Sequence, residues 1–458
     1  MTTTEIPGAN AASPSGSLRG VKDIPYHREG LPWVGPPLAY RKDPFGFHLR
    51  AYRRHGPIYR TRFRGRTYVV LAGLEANDFV WRNTDVWSYG ATNTAFGEEL
   101  GSGHVTQLDG DPHRARRKTL KPAFGMEAIA RYLPTIDRVI AEELAAIPDG
   151  EANLAEVFGP ILLRVNSRTT FLARLTDSMV ATLDEFEWQF LFGTNLGRWR
   201  HLYYARPQYR RLKAKTFQIF REVLAQRDAL GALPKDNFSA LEEANLEAGN
   251  PPFSEWEKEN YTYLTLVAGV HNTANLLYWC LVYCASRPDW TARLLAELAA
   301  WSTAPFPGMQ TFPLLKATIQ EVMRLRPGAI VLPRHAGRDF EFAGYRIPAG
   351  TPVIHANTLV HFLEEVYERP MEFLPERYLN GRSYPPKAIG FFGGGTHICL
   401  GMNVTNIHSP VALANVLRNY EVLFEQSPSF EVKLAVGGNR MRADVPVRLV
   451  RREPGGAS

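Results

Sequence analysis

The chain has 458 residues, is 45% hydrophobic and 22% charged, and carries a formal net charge of +7. These values fit a globular protein with a large core and exclude a globally disordered or collagen-like chain. The positive balance comes without a lysine block or an arginine–aromatic repeat, which argues against nucleic acid and fits a basic surface or a docking face for an acidic protein.

Residues 1–30 begin MTTTEIPGANAASPSGSLRG, rich in Ser, Thr, Pro and Gly, and read as a flexible tail with no apolar signal segment. The proline-rich run 31-LPWVGPP-37 follows, and then two strand-like runs, 57-PIYRTRF-63 and 67-TYVVLAG-73, separated by 64-RGR-66 as a hairpin turn. The stretch 86-VWSYGATNTAFGEEL-100 mixes aromatic and small residues. At 111-DPHRARRK-118 a helix is expected to open, with Asp111 as N-cap and Pro112 in the first turn. His113 and Arg117 are four apart and share a face of that helix.

From about residue 112 to 330 the pattern is helical, as in 208-QYRRLKAKTFQIFREVLAQRDAL-230 and 290-WTARLLAELAAW-301. The segment 261-YTYLTLVAGVHNTANLLYWCLVYCA-285 lacks Asp, Glu, Lys and Arg and is long enough to span a bilayer. Its centre holds His271, Asn272, Thr273 and Asn275, so a long helix buried in protein is expected rather than a membrane span. Gly269 inside that helix suggests a need for space beside a ligand, because glycine costs roughly 1 kcal/mol there relative to alanine. Beyond 330, strands return in 340-FEFAGYRIPAGTPV-353. No repeat and no linker appears, so residues 31–450 read as one mainly α domain with small sheets, and 451–458 as a second tail.

The three cysteines are Cys280, Cys284 and Cys399. An odd number without a secretory signal points to a reducing compartment, the cytoplasm, rather than a disulfide framework. Cys399 stands apart, behind Gly393, Gly394 and Gly395. A thiolate is a strong, soft metal ligand, and the helix that starts after Cys399 would bring stabilising N–H groups near it. Zinc would need more Cys or His at short spacing than 396-THICLGMN-403 supplies. The competing reading is an inert, buried core cysteine.

FGGGTHICLG at 392–401 resembles the haem-binding signature of the cytochrome P450 family, with Phe392, Gly395, His397, Cys399 and Gly401 at its fixed positions. The resemblance runs from about residue 31 to 450 and implies that family's triangular, mostly helical fold. By it, Cys399 is the axial thiolate of haem b, which favours O–O cleavage, Phe392 packs near the sulfur, and His397 meets a haem propionate. His113 and Arg117 match the family's His-x-x-x-Arg propionate pattern, and Arg334 in 333-PRHAGRD-339 falls at another propionate position. The segments 321-EVMR-324 and 373-FLPERY-378 match its Glu-x-x-Arg and Phe-x-Pro-Glu-Arg elements. Glu321, Arg324 and Arg377 would then form a buried structural triad. Taken alone, each of these basic or acidic residues also fits an ordinary surface helix or turn.

The departure lies in 268-AGVHNT-273. Ala268 and Gly269 match the family, but His271 stands at the usual acid and Asn272 at the usual threonine, with Thr273 one step late. General acid catalysis needs a reachable proton, which His271 can carry near neutral pH. Three explanations compete: a relay through His271, or through Thr273 in a locally bulged helix; a hydroxyl supplied by the substrate; or an isomerase, dehydratase or peroxide-using enzyme that needs no relay. The resemblance implies a monomeric monooxygenase, of the kind found in secondary metabolism. It would take electrons from a separate ferredoxin or flavodoxin and act on an apolar terpenoid, steroid, polyketide or fatty acid. Trp87, Phe96, Val270, Ile330 and Leu332 are candidate pocket walls, or ordinary core. A haem carrier or sensor without turnover is the other class.

Overall fold

The computed structural model describes residues 18–30, 40, 42–63, 65–101, 103–147, 150–152, 154–231, 236–302, 311–379, 381, 383–424, 433–434, 441–442 and 447–452. The proline-rich run 31–37, residues 1–17 of the expected N-terminal tail, Arg64 of the hairpin turn and residues 453–458 lie outside these. The principal helices in chain order are α1 (Pro44–His55), α2 (Leu74–Arg82), α3 (Gly110–Phe124), α4 (Leu154–Thr170), α5 (Asp177–Thr194), α6 (Pro207–Asp228), α7 (Glu255–Thr262), α8 (Val270–Ser286), α9 (Pro313–Leu325) and α10 (Met402–Asn419). The chain forms two compact units, one of residues 1–114, 323–399 and 431–433, the other of 115–322, 400–430 and 434–458.

The first unit is built on the expected hairpin. Strands β1 (Ile58–Phe63) and β2 (Arg66–Ala72), rich in β-branched and aromatic residues, pair antiparallel from Ile58 opposite Leu71 to Phe63 opposite Arg66. Strands β3 (Leu332–His335), β4 (Phe340–Phe342), β5 (Tyr345–Ile347) and β6 (Pro352–Ala356) follow the long helical stretch. β2 pairs parallel with β6, and β6 antiparallel with β3, giving the order β1-β2-β6-β3. Alternation along the strands feeds two cores. Val69, Leu71 and Val353 join Trp87, Phe340 and Tyr345 on one side, while Val70 and Ile354 join Tyr59, Val360 and Tyr367 on the other.

The N-terminal boundary differs from the one read in the sequence. Residues 18–30 are not tail: the Arg346 N–H donates to Arg19 O at 2.9 Å, the His27 N–H to Arg60 O at 2.8 Å, and the Arg60 N–H to Pro25 O at 2.7 Å. Strand edges leave unpaired backbone groups, and this segment satisfies them.

The second unit is helical, with α8 packed on α4 and α10, and α5 on α6. A small antiparallel sheet joins Gly150–Ala152, Val447–Arg451 and Tyr420–Phe424 in that spatial order. The charge-free segment is not the single helix expected over 261–285. After α7 the chain makes one π-helical turn, Tyr263–Val267, and the Ala268 N–H donates to Tyr263 O at 3.0 Å. Gly269 then takes φ +84° and α8 begins at Val270. That left-handed conformation costs other L-residues about 1–2 kcal/mol. A Cβ at Gly269 would meet no protein atom within 4 Å, so backbone angle and not crowding by protein explains the glycine. In an unbroken helix the Val270 N–H would satisfy Leu266 O; here the Asn166 side-chain amide donates to it at 3.0 Å. Among the described residues no helix is long and apolar enough to cross a membrane.

Candidate functional site

In the first unit, Cys399 ends a loop held by its own backbone. The Cys399 N–H donates to Phe392 O at 2.9 Å, Gly393 N–H to Gly390 O at 3.0 Å, and Ile398 N–H to Gly395 O at 3.3 Å. A Cβ at Gly394 would lie 2.3 Å from the Trp81 ring, and one at Gly395 2.6 Å from Trp81 O, so only glycine lets this loop lie on α2. Leu332 is the next neighbour, 3.5 Å from a Cβ built on Gly393. Trp81 is not legible as the neighbour of these glycines in the sequence, because no spacing rule links it to position 394. Cys399 is exposed, whereas Cys280 and Cys284 are buried. Burial pushes the Cys280 thiol well above its ordinary range and that of Cys284 up to about 12. The inert-core reading therefore describes Cys280 and Cys284 and fails for Cys399. Helix α10 begins three residues later at Met402, with Gly401 as its N-cap and Gly401 O accepting from Thr405 N–H at 3.0 Å.

The loop is tied to a buried arginine through a histidine that the sequence did not single out. Arg324 is 0% exposed. Its Nη1 donates to His361 O and Pro370 O, both at 2.7 Å, and its Nη2 to Glu372 O at 3.1 Å. His361 Nδ1 donates to Arg324 O at 3.0 Å, and Nε2 accepts the Gly390 N–H at 3.0 Å, at the root of the cysteine loop. Arg377 is buried as well and donates to Glu368 O at 2.8 Å. Glu321 lies one turn before Arg324 in α9 and is also fully buried.

His361 gives the loop a pH dependence. Burial, helped by the Arg324 charge, pushes its pKa down to about 3 from an ordinary 6.5. The unfolded chain therefore binds a proton that the folded chain refuses. The stabilisation is complete above pH 6.5 and is lost as pH falls towards 3, by about 2 kcal/mol at pH 5. Unfolding free energies at pH 7 and pH 5 should differ by that much more in the wild type than in His361→Gln.

On the same unit, His397 is stacked between two rings. Tyr89 lies 3.3 Å away at 7° and His113 3.6 Å away at 8°, centroid to centroid. Arg334, on β3, sits 5.0 Å over the other ring of this group, Tyr89. Arg334 is 8% exposed, donates through Nη1 to Pro333 O at 2.8 Å, and has a buried Nε with no partner. Burial pushes its pKa down. A buried cation without a carboxylate is costly unless an anion completes it. Arg117 is half-buried, one turn beyond His113 in α3. Asp111 is not the N-cap: α3 starts at Gly110, and Asp111 pairs with Arg114 within the first turn. Asp109 is the carboxylate that matters here, accepting the Tyr89 N–H at 2.7 Å.

In the second unit, the break at Ala268 and Gly269 sets the next three side chains. His271 is buried, with Nε2 3.4 Å from Glu187 Oε2 and 3.5 Å from Asp184 Oδ1. Thr273 is buried with its hydroxyl 3.3 Å from that of Thr405 on α10. Asn272, between them, is exposed. His271 and Thr273 thus face different helices. The bulge lies upstream of both, at 263–267, and not at Thr273. Of the pocket candidates, Trp87 belongs to the core: it is 3% exposed and donates Nε1–H to Val80 O at 3.3 Å. Val270 and Ile330 are buried, and Phe96 and Leu332 are half-buried.

The family model described as Cytochrome P450 matches residues 25–437. The chain belongs to the cytochrome P450 family. It is 29% identical over 387 residues to "Putative cytochrome P450 135B1" of Mycobacterium tuberculosis, covering 82% of this chain and 81% of that one. It is 23% identical over 435 residues to "Sterol 14alpha-demethylase" of Mycolicibacterium vanbaalenii, covering 90% and 94%. Over 34% of this chain and 33% of the other, it is 38% identical to "Steroid 21-hydroxylase" of Sus scrofa. Among solved structures, the retinoic-acid-bound cyanobacterial CYP120A1 superposes with a TM-score of 0.78 at 23% identity, covering 95% of this chain and all of the other. The mostly helical P450 fold with small sheets is thereby shown, and with it a monooxygenase that uses haem iron, a small-molecule substrate and a source of electrons.

Arg334 in this P450 carries a test of its own. Arg334→Met removes a buried cation that only an anion completes. The haem-free protein should be no less stable, and by up to about 1–4 kcal/mol more so. Haem transfer to apomyoglobin should be 10–100-fold easier, on the order of the loss when an outer contact to a metal site is removed.

Proposed function

We propose that this P450 inserts one atom of dioxygen into an apolar small molecule, of terpenoid or steroid class before polyketide or fatty acid. Cys399 would supply the thiolate that holds the iron, and haem b would be the cofactor. The observation that carries the reading is Arg334, a buried guanidinium with an unpartnered Nε, on the same unit as the exposed Cys399 thiol. Those residues fit an iron porphyrin, which needs one soft anionic ligand and cations for two carboxylates. When bound, haem supplies the iron at which dioxygen is split, one atom passing to substrate and the other to water.

The chain's residues divide the remaining tasks. Phe392 O fixes the cysteine backbone, while His113, Arg117, Arg334 and His397 hold the propionates. His271 carries the proton that general acid catalysis requires, and the exposed Asn272 orders a water. Ala268 and Gly269 open the helix where substrate and dioxygen must fit. The isoprenoid preference is supported by the relatives, which are named for acting on sterols and a steroid, and by the neighbour bound to retinoic acid. The charge of +7 supports an acidic ferredoxin or flavodoxin as donor. A panel of sterols, terpenes, polyketides and fatty acids should be screened for a substrate-induced spin shift, and the hits turned over under labelled dioxygen with a surrogate donor. One labelled oxygen in a terpenoid or steroid product is expected. Spin shifts confined to fatty acids would overturn the class, and unlabelled product would overturn the reaction.

A further inference from the structure

The second unit contains a buried acid beside His271. Glu187 is 3% exposed, on α5, and its carboxylate lies 3.4 Å from His271 Nε2. Asp184 lies three residues earlier on the same face of α5, 3.5 Å from the same nitrogen. Its side chain is 34% exposed, against 4% for Glu187 and 9% for His271. Asp184 is therefore the solvent-facing acid of the cluster, while Glu187 and His271 are both buried. Burying a carboxylate costs several kcal/mol unless a partner compensates it, and an imidazole able to take a proton is that partner. Two further groups face the cluster. Tyr263, in the π turn, is buried and held well above its ordinary range by burial, then by the Glu187 charge and by Tyr204. Tyr263 therefore stays neutral and does not compete for the proton. A Cβ at Gly159 of α4 would lie 3.3 Å from Asp184 Oδ1, so the α4 backbone closes over that acid.

We propose that Asp184 and Glu187 are the proton-supplying and positioning residues for His271, the partly exposed Asp184 passing protons from solvent to Nε2 and the buried Glu187 holding the imidazole and stabilising its protonated form. This rests on the reading of His271 as the proton carrier. In each transfer a carboxyl O–H bond breaks as the Nε2–H bond forms. The Nδ1–H bond then breaks as the proton passes to the reacting oxygen, the proton left on Nε2 is exchanged through water for one on Nδ1 so that the starting tautomer returns, and Asp184 is reprotonated from water. One proton moves inward per cycle, and no electrons move. The pair does what the acid at position 271 does elsewhere in the family, but from a neighbouring helix.

Two measurements test it, both on the haem-loaded protein. The first does not use turnover. In the diamagnetic ferrous carbon-monoxide form, His271 is titrated by NMR on histidine-labelled protein, with the resonance assigned through His271→Gln. Removing a neighbouring carboxylate charge should lower the His271 pKa, by about one unit in Glu187→Gln and by less in Asp184→Asn, whose carboxylate is more solvated. The second is product formed per reduced cofactor consumed, together with the solvent deuterium isotope effect. Coupling should fall on the order of tenfold or more in Glu187→Gln. The isotope effect should rise in both variants while substrate affinity stays constant, and Glu187→Asp should recover part of the loss. A merely structural pin between α5 and α8 would shift melting and leave the isotope effect alone.

Should Glu187→Gln fail to fold, Asp184→Asn decides, since that acid is partly solvated. An unchanged isotope effect and an unchanged His271 titration in Asp184→Asn overturn the proposal. If both acids are silent while His271→Ala uncouples, the route is wrong and the His271 reading stands. If His271→Ala stays coupled, both fall.

Discussion

Cys399→Ser is expected to yield a protein without the carbon-monoxide difference band of a thiolate-ligated haem and with no product above a haem-free background. The reason is chemical. Serine keeps the volume and the backbone bond from residue 399 to Phe392 O, but its hydroxyl is not ionised near neutral pH and is a hard ligand. The electron push that favours O–O cleavage comes from sulfur. The matched controls are Cys280→Ala and Cys284→Ala. Both thiols are fully buried and held protonated, so their removal should cost packing free energy and leave the band in place. If the serine variant kept the band, or either control lost it, the ligand assignment would be wrong.

Arg324→Ala is expected to be strongly destabilising. The guanidinium is fully buried and donates to three carbonyls, of His361, Pro370 and Glu372. It also lies 5.0 Å over the Tyr367 ring. Hydrogen bonds from a charged group contribute about 1.5–3 kcal/mol each, and leaving their partners buried and unpaired adds to the loss. Breaking a buried ionic group of this kind costs about 3–5 kcal/mol, a large part of a total stability of roughly 5–15. The loss should spread to the cysteine loop through His361 and the Gly390 N–H. The variant should therefore be recovered with little haem, and denaturant midpoints should show the deficit in the haem-free protein too. Arg324→Lys keeps the charge but not the fork and should fall in between. Arg338→Ala, which removes an exposed pair with Asp85, should stay within about 1 kcal/mol of wild type. A deficit in Arg324→Ala no larger than that would refute the argument.

Much of the cysteine side was legible because the chemistry needs fixed residue types at fixed local spacing. Phe392, Gly395, His397 and Cys399 lie within eight residues, and a loop that short has few ways to present a thiol. The hairpin and the helices 207–228 and 288–298 were legible for a similar reason, since period and turn residues act locally. Two readings failed where local rules have nothing to say. Gly269 looked like a residue inside one helix, yet its φ of +84° marks a break before α8. Residues 18–30 looked like tail because strand pairing with distant partners leaves no local signature.

The amino-acid sequence by itself determined the family, because the signature from Phe392 to Gly401 is a short-range pattern of side-chain chemistry. Only the tertiary structure decided which buried groups complete one another. Trp81 lies under the glycines, His361 joins Arg324 to the cysteine loop, Asn166 caps the freed Leu266 carbonyl, and Glu187 stands beside His271. Buried polar and charged groups must find partners, and those partners are chosen by packing across tens to hundreds of residues, which no periodicity along the chain encodes.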